Sequence, residues 1–566
     1  MSKSVFSSPK INEPRDREAF DLSHEINING KAGMLLPFYS RLFFAGEKCR
    51  LNVGSFFRLA KVNSPAFPAM AMHFDFFKVP CKQLYTNWGA FRENIKDVYS
   101  SAPQLSNVVT SLPYFTRKDL LLYRERYGQT NPNVDNSSSW QGMVRLLDLF
   151  NYGVLDHNDN LLLPTDINVS TGASSDTAYM NERFSLLPAC AYQKVYADHY
   201  RNTYYEQSLV SSWNLDNYAQ GLHDDNLYSA LGSYFRLHYV DCIKDYFRNY
   251  YPSLNFSSTQ STGVTWSLPN DFVNLPVRSN SQLGIALNSS GVGASPSSAS
   301  SDGFSSISVS VQSIRAAFAM DKLLRASAYA SQRVVDQYRA RFGVTPKNEL
   351  GYLSTRLGSF KTDIVIGEVT STSETDLAPL GAVGGKGVGS GAKGGTIDFT
   401  ADCDCIVLGI CYLLPRLSYD AVFTDASLQM LDTFDFPQPE LMRLGLRPLY
   451  RKNIHRETVT GSGVLSERDN IIVGYTLPDY THKVAPNVNH GLFKNGRSLS
   501  SFVLHGLDYQ RNSVSNYVYF KFVPQMLNPI FVNQVTDSQE SDQFYGHVTI
   551  HNPSVRMFPV FGQPII

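Results

Sequence analysis

Cysteine is scarce in this 566-residue chain, and other features that would assign it to a class of protein are missing too. Seven cysteines, an odd number, do not suggest a disulfide framework, so we expect their thiols to be free. The first ten residues, MSKSVFSSPK, lack the apolar core of a secretory signal. The longest apolar run, Cys405 to Leu414, is broken by Gly409 and is far shorter than the ~20 residues that span a bilayer. These absences predict a protein that is made and folded in a reducing cytoplasm.

Charge of either sign is also in short supply. Charged residues make up 18% of the chain, and the 50 basic side chains balance the 50 acidic ones, for a net charge of +0. This balance gives no support to a protein that neutralises nucleic acid by bulk charge or is drawn to an anionic membrane. Aromatic residues, in contrast, reach 13%. Few charges and many aromatic rings are typical of a chain that buries much of its surface, partly against other chains.

Strand patterns dominate both ends of the chain. In residues 70–76 the even positions are apolar and His73 and Asp75 lie between them, which predicts a half-buried strand that ends at Pro80. Three more segments have strand composition: Ile364–Val369, Ile406–Leu414 with two apolar faces, and Tyr517–Val523 closed by Pro524. Because strands occupy the start and the end with a long middle between them, we expect one β-sandwich with large insertions.

The clearest helix pattern lies between Ser313 and Phe342. Positions spaced alternately by four and three form one mostly apolar stripe: Ala317, Asp321, Leu324, Ala328, Ser331, Val335, Tyr338 and Phe342. Gly343 and Pro346 supply the expected end of the helix. We expect the stripe to pack into the body of the protein, with Leu324 and Val335 buried.

Two segments have an unusual composition. Residues 279–310 are rich in serine and contain one charged residue, Asp302, which predicts an exposed surface insertion. Residues 381–395 are rich in glycine, which indicates either a flexible connection or a place where backbones approach closely. Gly389, Gly391 and Gly394 match the spacing of a dinucleotide fingerprint, but residues 396–400 after them look like a strand, where phosphate binding requires a helix.

Metal and catalytic signals are weak throughout the chain. Cys403, Cys405 and Cys411 are interpreted as buried small hydrophobic residues, since structural zinc usually requires C-x-x-C pairs. His547 and His551 flank a Val-Thr-Ile segment that favours a strand, which would hold them ~13 Å apart. No nucleophile elbow or zinc-protease motif occurs, and the carboxylates are scattered. The sequence therefore predicts no enzyme, no metal and no cofactor.

One basic cluster is a candidate DNA contact. Arg443, Arg447, Arg451, Lys452 and Arg456 fall within fourteen residues, interleaved with Tyr450 and His455. We single out Arg447, Tyr450, Arg451 and Lys452 because guanidinium and ammonium groups beside a ring can hold phosphates and stack a base of single-stranded nucleic acid. Pro448 prevents a continuous helix here and predicts a turn or loop. A solvated face, or one paired with acidic groups of a neighbouring subunit, remains the alternative.

Motifs along most of the chain resemble, in their order, those of one family, the major capsid proteins of the Microviridae and especially the gokushovirus-like branch. The matching segments are Phe20–Ser23, Ala32-Gly33, Phe76–Pro80 with Trp88, Leu187-Pro188, Ala191–Tyr196, Tyr200–Asn202, Asp245–Phe247, Tyr338–Val344, Ile366–Val369, Pro379–Gly381, Gly474-Tyr475, Asp542–Phe544 and Arg556-Met557. No single segment is specific, but their common order is.

The resemblance implies an all-β viral jelly roll of eight antiparallel strands in two sheets, with long loop insertions containing some helices. It implies self-assembly into a T = 1 icosahedral shell around a circular single-stranded DNA genome of a small tailless bacteriophage. Further implied partners are a scaffolding protein, a pilot protein, a small basic DNA-binding protein and a host-cell surface receptor. The protein would then reside in the virion, after assembly in the host bacterial cytoplasm.

On this interpretation residues 1–566 form a single capsid domain. Its jelly-roll core comes from strands in residues 20–100 and 360–566, and residues 101–345 supply the insertions. These include a possible three-fold protrusion at about 220–310 and the helix at 313–342. The alternatives are a lectin-like, carbohydrate-binding jelly roll and, with less support, a glycoside hydrolase on a β-sandwich; particle size would separate a shell from either.

Overall fold

The structure is a computed structural model. It describes residues 17–63, 66–67, 69–93, 112–127, 140–168, 171–172, 174–207, 210–216, 218, 231–245, 247–252, 319, 322, 330, 333–345, 353–370, 383–391, 394–420, 428, 430–431, 436, 438–439, 446–450, 472–477, 483–494, 496–506, 520–532 and 541–560. The serine-rich segment 279–310 and Leu324 lie outside the described residues.

Strands make up most of the regular structure that is described. They are β1 (Glu18–Asp21), β2 (His24–Gly30), β3 (Leu36–Phe43), β4 (Lys48–Leu59), β5 (Met70–Pro80), β6 (Tyr114–Thr116), β7 (Arg183–Ser185), β8 (Thr355–Thr370), β9 (Val383–Ser390), β10 (Ile397–Thr400), β11 (Cys405–Pro415), β12 (Tyr419–Asp420), β13 (Arg447–Tyr450), β14 (Ile472–Thr476), β15 (Val488–Asn489), β16 (Phe544–His551) and β17 (Pro553–Arg556).

Eleven of these strands form one curled sheet with antiparallel pairing. Its main path runs β1-β17-β4-β9-β8-β5-β11-β3, while β10 and β16 add to β4 and β2 adds to β16. The sheet curls because β4 and β8 are long: the first part of β8 pairs with β5 and the second part with β9. The all-β jelly roll is thereby confirmed, with eleven strands in the sheet instead of the expected eight.

The centre of the sheet is covered on both faces. Strand β11 is predicted to be apolar on both sides, and it is buried along nearly its whole length. Strand β5 is also buried on both faces, so the prediction of a half-buried strand is wrong there. The alternation pattern does not indicate this burial because Asp75 is a charged residue. Asp75 is nevertheless only 3% exposed, since Tyr200, Arg356 and Tyr412 donate hydrogen bonds to its carboxylate.

The glycine-rich segment forms strand β9. The expectation of a flexible connection is therefore wrong, and that of close backbone approach is right. A Cβ on Gly387 would lie 2.4 Å from Leu59 Cδ1, and one on Gly389 would lie 3.0 Å from the carbonyl oxygen of Asp363. The next described element is strand β10, as predicted, so the glycines are not followed by the helix that a dinucleotide needs.

Helices lie mainly in the middle of the chain. They are α1 (Cys81–Leu84), α2 (Trp88–Glu93), α3 (Arg117–Tyr127), α4 (Trp140–Leu149), α5 (Thr177–Met180), α6 (Leu187–Val195) and α7 (Val334–Phe342). Helix α6 continues into one turn of π-helix, Tyr196–Tyr200, and short 3₁₀ turns occur at Val210–Ser212, Gly491–Phe493, Ser500–Phe502 and Pro524–Leu527. Helix α6 packs against β5 and β11 and covers one face of the sheet centre.

Helix α7 differs from the helix predicted for residues 313–342. It ends as predicted at Gly343, whose φ of 67° is left-handed. It begins, however, only after Arg333, whose extended backbone interrupts the predicted continuous helix. Tyr338 and Phe342 are 44% and 65% exposed, so the prediction that this end of the stripe packs into the subunit is wrong. The apolar spacing alone could not say whether anything within the chain covers that face.

A second correction concerns the strand predicted at Tyr517–Val523. Residues 520–523 are described, and they form one isolated bridge, Asp241 to Lys521, followed by a 3₁₀ turn. The aromatic content of this segment serves packing instead, because Phe520 and Phe522 are 4% and 0% exposed.

All seven cysteines are free thiols, six of them buried and Cys403 partly exposed. His547 and His551 lie on strand β16, as predicted.

Candidate functional site

Two of the four predicted DNA-contact residues, Arg447 and Tyr450, lie on strand β13, which pairs with β14. The turn or loop expected from Pro448 is wrong here, since Pro448 sits within the strand opposite Tyr475. Proline is compatible with this position because the ladder has two strands, so each is an edge. Arg451 and Lys452 lie outside the described residues.

Arg447 and Tyr450 lie three residues apart on β13, and the pairing of β13 with β14 shifts its register between Leu449 and Tyr450. Arg447 is exposed and Tyr450 is half-buried. The DNA-contact assignment stays a prediction.

The two-stranded ladder is attached to the insertion. Tyr251 and Tyr475 exchange two backbone hydrogen bonds of 2.7 and 2.8 Å. The ring of Tyr250 lies so close to Gly474 that a Cβ there would be 2.5 Å from Tyr250 Cδ2. The ladder that contains Arg447 is therefore held against the insertion.

A buried ionic cluster joins the insertion to the C-terminal part of the chain. The Lys521 ammonium lies 2.8 Å from a carboxylate oxygen of Glu206 and 2.8 Å from one of Asp241. The Tyr196 hydroxyl donates to Glu206, and the Tyr196 ring lies 5.1 Å from the ammonium. Burial lowers the pKa of Lys521, but Tyr196, Asp241 and Glu206 outweigh it and raise that pKa well above its ordinary value. Burial also raises the pKa of Asp241, against the opposing effect of Lys521, and the Glu206 and Asp241 carboxylates both lie at salt-bridge distance from the ammonium.

The buried polar groups are poorly suited to nucleophilic chemistry. Burial raises the pKa of Cys81 to about 12 and that of Cys403 to about 11, so both thiols stay protonated near neutral pH. Burial likewise raises the pKa of the Tyr200 and Tyr412 hydroxyls that donate to Asp75. Within the described ranges, no three His, Cys, Asp or Glu side chains form a group that could hold a metal ion.

The sheet has a second polar surface, which the sequence patterns did not single out. We call the solvent side of β2, β16, β4, β9 and β8 the outer sheet face. One row of residues lies across these five strands in direct register: Asn29, Tyr545, Arg58, Val388 and Val365. The next row is Asn27, His547, Phe56 and Ser390. The alternation of β4 and β16 contains this signal, but it appears only once both strands are aligned.

Comparison with known proteins gives one family. The family model described as Capsid protein (F protein) matches residues 10–131 and 167–565. No curated protein matches the chain. In the described part of the chain, no helix has the length and apolar character needed to cross a membrane.

Proposed function

Because the chain belongs to the capsid protein (F protein) family of the Microviridae, we propose that it is the major capsid protein of a T = 1 icosahedral shell enclosing a circular single-stranded DNA genome. As a member of this family, the chain is a structural protein of a bacteriophage virion and assembles with copies of itself. The observation that carries the proposal is the extent of the match, which includes all eleven strands of the curled sheet.

The charge of the chain supports a basic partner. With a net charge of +0, a shell of this protein cannot by itself neutralise the phosphates of a genome. A small basic DNA-binding protein of the same phage would supply the missing cations. A scaffolding protein, a pilot protein and a host-cell surface receptor complete the proposed set of partners, and assembly would take place in the host bacterial cytoplasm.

Two regions have proposed roles in the particle. Residues about 220–310 would form the protrusion at the three-fold axes, because their serine-rich part has loop composition. Arg447, Tyr450, Arg451 and Lys452 would contact the genome, because they concentrate cations in an otherwise neutral chain.

The experiment is to express the full chain with its phage partners and to examine the product by electron microscopy. The proposal requires closed shells of one small size that protect single-stranded DNA from nuclease. A small soluble oligomer that binds glycans would contradict it and favour the lectin-like alternative. Shells filled with double-stranded DNA or RNA would retain the capsid function and reject the genome type.

A further inference from the structure

Two aromatic rings on the outer sheet face are exposed to solvent and lie on the opposite side of the sheet from the core. Phe56 is 39% exposed and Tyr545 is 49% exposed. Their neighbours in sequence, Phe57 and Phe544, point to the other side of the sheet and are completely buried. Alternation therefore assigns the core contacts to Phe57 and Phe544 and leaves the other two rings free for a function at the surface.

The two rings lie on the same face of neighbouring strands. Tyr545 is directly opposite Arg58, and Phe56 is two residues before Arg58 on the same face of β4. Diagonal neighbours of this kind are about 7–8 Å apart. The Arg58 guanidinium carbon lies 5.2 Å from the centre of the Phe56 ring. Ring, cation and ring thus form a continuous surface on strands that are held by pairing on both sides.

The charge of this face is positive after pairing. Arg50 pairs with Asp398, Lys361 with Asp363, and His547 lies 3.6 Å from Glu25. Arg58 and Lys386 have no carboxylate at salt-bridge distance among the residues that the structure describes. Lys386 stands opposite Gly367, one position beyond the row that ends at Val365. Arg58 adjoins both exposed rings and Lys386 lies two residues before Val388 on β9, an arrangement of cations and rings that fits a polyanion carrying aromatic groups.

We propose that the outer sheet face binds single-stranded nucleic acid, with bases stacked on Phe56 and Tyr545 and phosphates held by Arg58 and Lys386. This inference rests on the proposed function, which supplies a single-stranded genome. Rings on a sheet surface stack unpaired bases in a sequence-tolerant way, and cations beside them hold the backbone. A neutral sugar would not need the cations. A second copy of the chain fits this face less well, because the polar residues Asn27, Asn29 and Ser390 lie between its apolar groups.

The test uses the full chain and a fluorescent oligothymidine as the probe. Loss of one ring, in Phe56→Thr or Tyr545→Thr, should weaken binding roughly 5- to 100-fold, because stacking on one ring contributes about that factor. Arg58→Gln should lower the log–log salt slope by about 0.7, which a purely structural role would not do. Leu162→Thr is the control: it removes a 45% exposed apolar side chain that lies outside this face and should leave binding unchanged.

Phe56→Leu and Tyr545→Leu keep apolar bulk and protect the test against misfolding, and they should weaken binding like the threonine variants. Ultraviolet crosslinking should place adducts at Tyr545. Unchanged binding in all ring variants, or adducts only near Arg447, would overturn the inference. If these variants still form shells that contain DNA, the proposed capsid function would be unaffected by that result. Folded ring variants that no longer form shells would make this face a contact between copies and reject nucleic acid binding. Failure of the parent chain to form shells would instead count against the proposed function.

Discussion

Arg145 and Asp542 form a buried, two-pronged ion pair. The two guanidinium nitrogens of Arg145 each donate to a different Asp542 oxygen at 2.9 Å, and one also donates to the carbonyl oxygen of Asn29 at 3.2 Å. Both side chains are less than a tenth exposed. The pair ties helix α4 of the insertion to the start of strand β16.

Removing the cation of this pair should be costly. Arg145→Met leaves the Asp542 carboxylate buried without its partner, and we expect the free energy of unfolding to fall by about 3–5 kcal/mol. Arg50→Met is the control, because Arg50 and Asp398 form an exposed pair worth about 0–1 kcal/mol. Chemical denaturation of the isolated subunits measures both, and equal losses would contradict the assigned role of Arg145.

His238 should make the subunit sensitive to acid. It is buried: its ring stacks on Tyr196 at 3.5 Å, and its Nε2 donates to Gln193 Oε1 at 2.6 Å. Burial, together with the nearby charges of Arg236 and Lys521, lowers its pKa well below the ordinary value. Below about pH 6.5 the unfolded chain therefore binds a proton at His238 that the folded chain does not bind. The free energy of unfolding consequently falls as the pH drops, by up to about 1.4 kcal/mol per pH unit.

The measurement is the melting temperature of the isolated subunit between pH 7 and pH 5. His238→Gln should flatten the dependence on pH, and the exposed His157→Gln should not. Part of the slope should remain in His238→Gln, because burial also lowers the pKa of His73 and His199. An unchanged slope in His238→Gln would show that His238 accepts its proton in the folded state.

At the scale of elements, strand β9 shows how glycine can be required inside a sheet. Gly387 faces inward, where Leu59 fills the space that a side chain would occupy. Gly367 lies in β8 on the outer face, and a Cβ there would meet nothing closer than the Lys386 carbonyl oxygen at 3.9 Å. The two glycines lie in neighbouring strands but differ in the room around them.

Alanine substitution should separate these two positions. Gly387→Ala should destabilise the subunit by about 1–3 kcal/mol through overpacking against Leu59. Gly367→Ala should be neutral or stabilising by up to about 1 kcal/mol, because it restricts the unfolded chain at no steric cost. Thermal melting of both variants checks this, and equal tolerance would mean that β9 does not pack against β4 as described.

At the scale of the whole molecule, assembly and genome binding should respond differently to lost charge. Arg447→Gln with Arg451→Gln should leave shell formation intact and reduce the DNA content, each lost phosphate contact lowering the log–log salt slope by about 0.7. Arg92→Gln with Arg124→Gln is the control of equal charge, since both arginines already pair with carboxylates of their own subunit. If empty shells no longer form in the first variant, the basic cluster is a contact between subunits.

Local signals in the amino-acid sequence were sufficient to predict several of the strands. Strand β11 has two apolar faces, β10 follows the glycines, and β16 carries two histidines in a β-branched segment; all three are where the pattern placed them. The family, too, followed from motif order, because short segments in a fixed order identify a relative without any knowledge of contacts. Local chain chemistry is sufficient for these inferences, since neither propensity nor motif order depends on what lies opposite.

What each surface of an element faces depends on contacts between segments that are distant in sequence. The exposed end of helix α7, the buried carboxylate of Asp75 and the close packing around Gly387 all depend on neighbours that are distant in sequence. The outer sheet face likewise exists because β4, β9 and β16 align in one register, which brings Arg58 between Val388 and Tyr545. Burial and register are properties of pairs of segments, and a pattern within one segment cannot specify the partner that covers it.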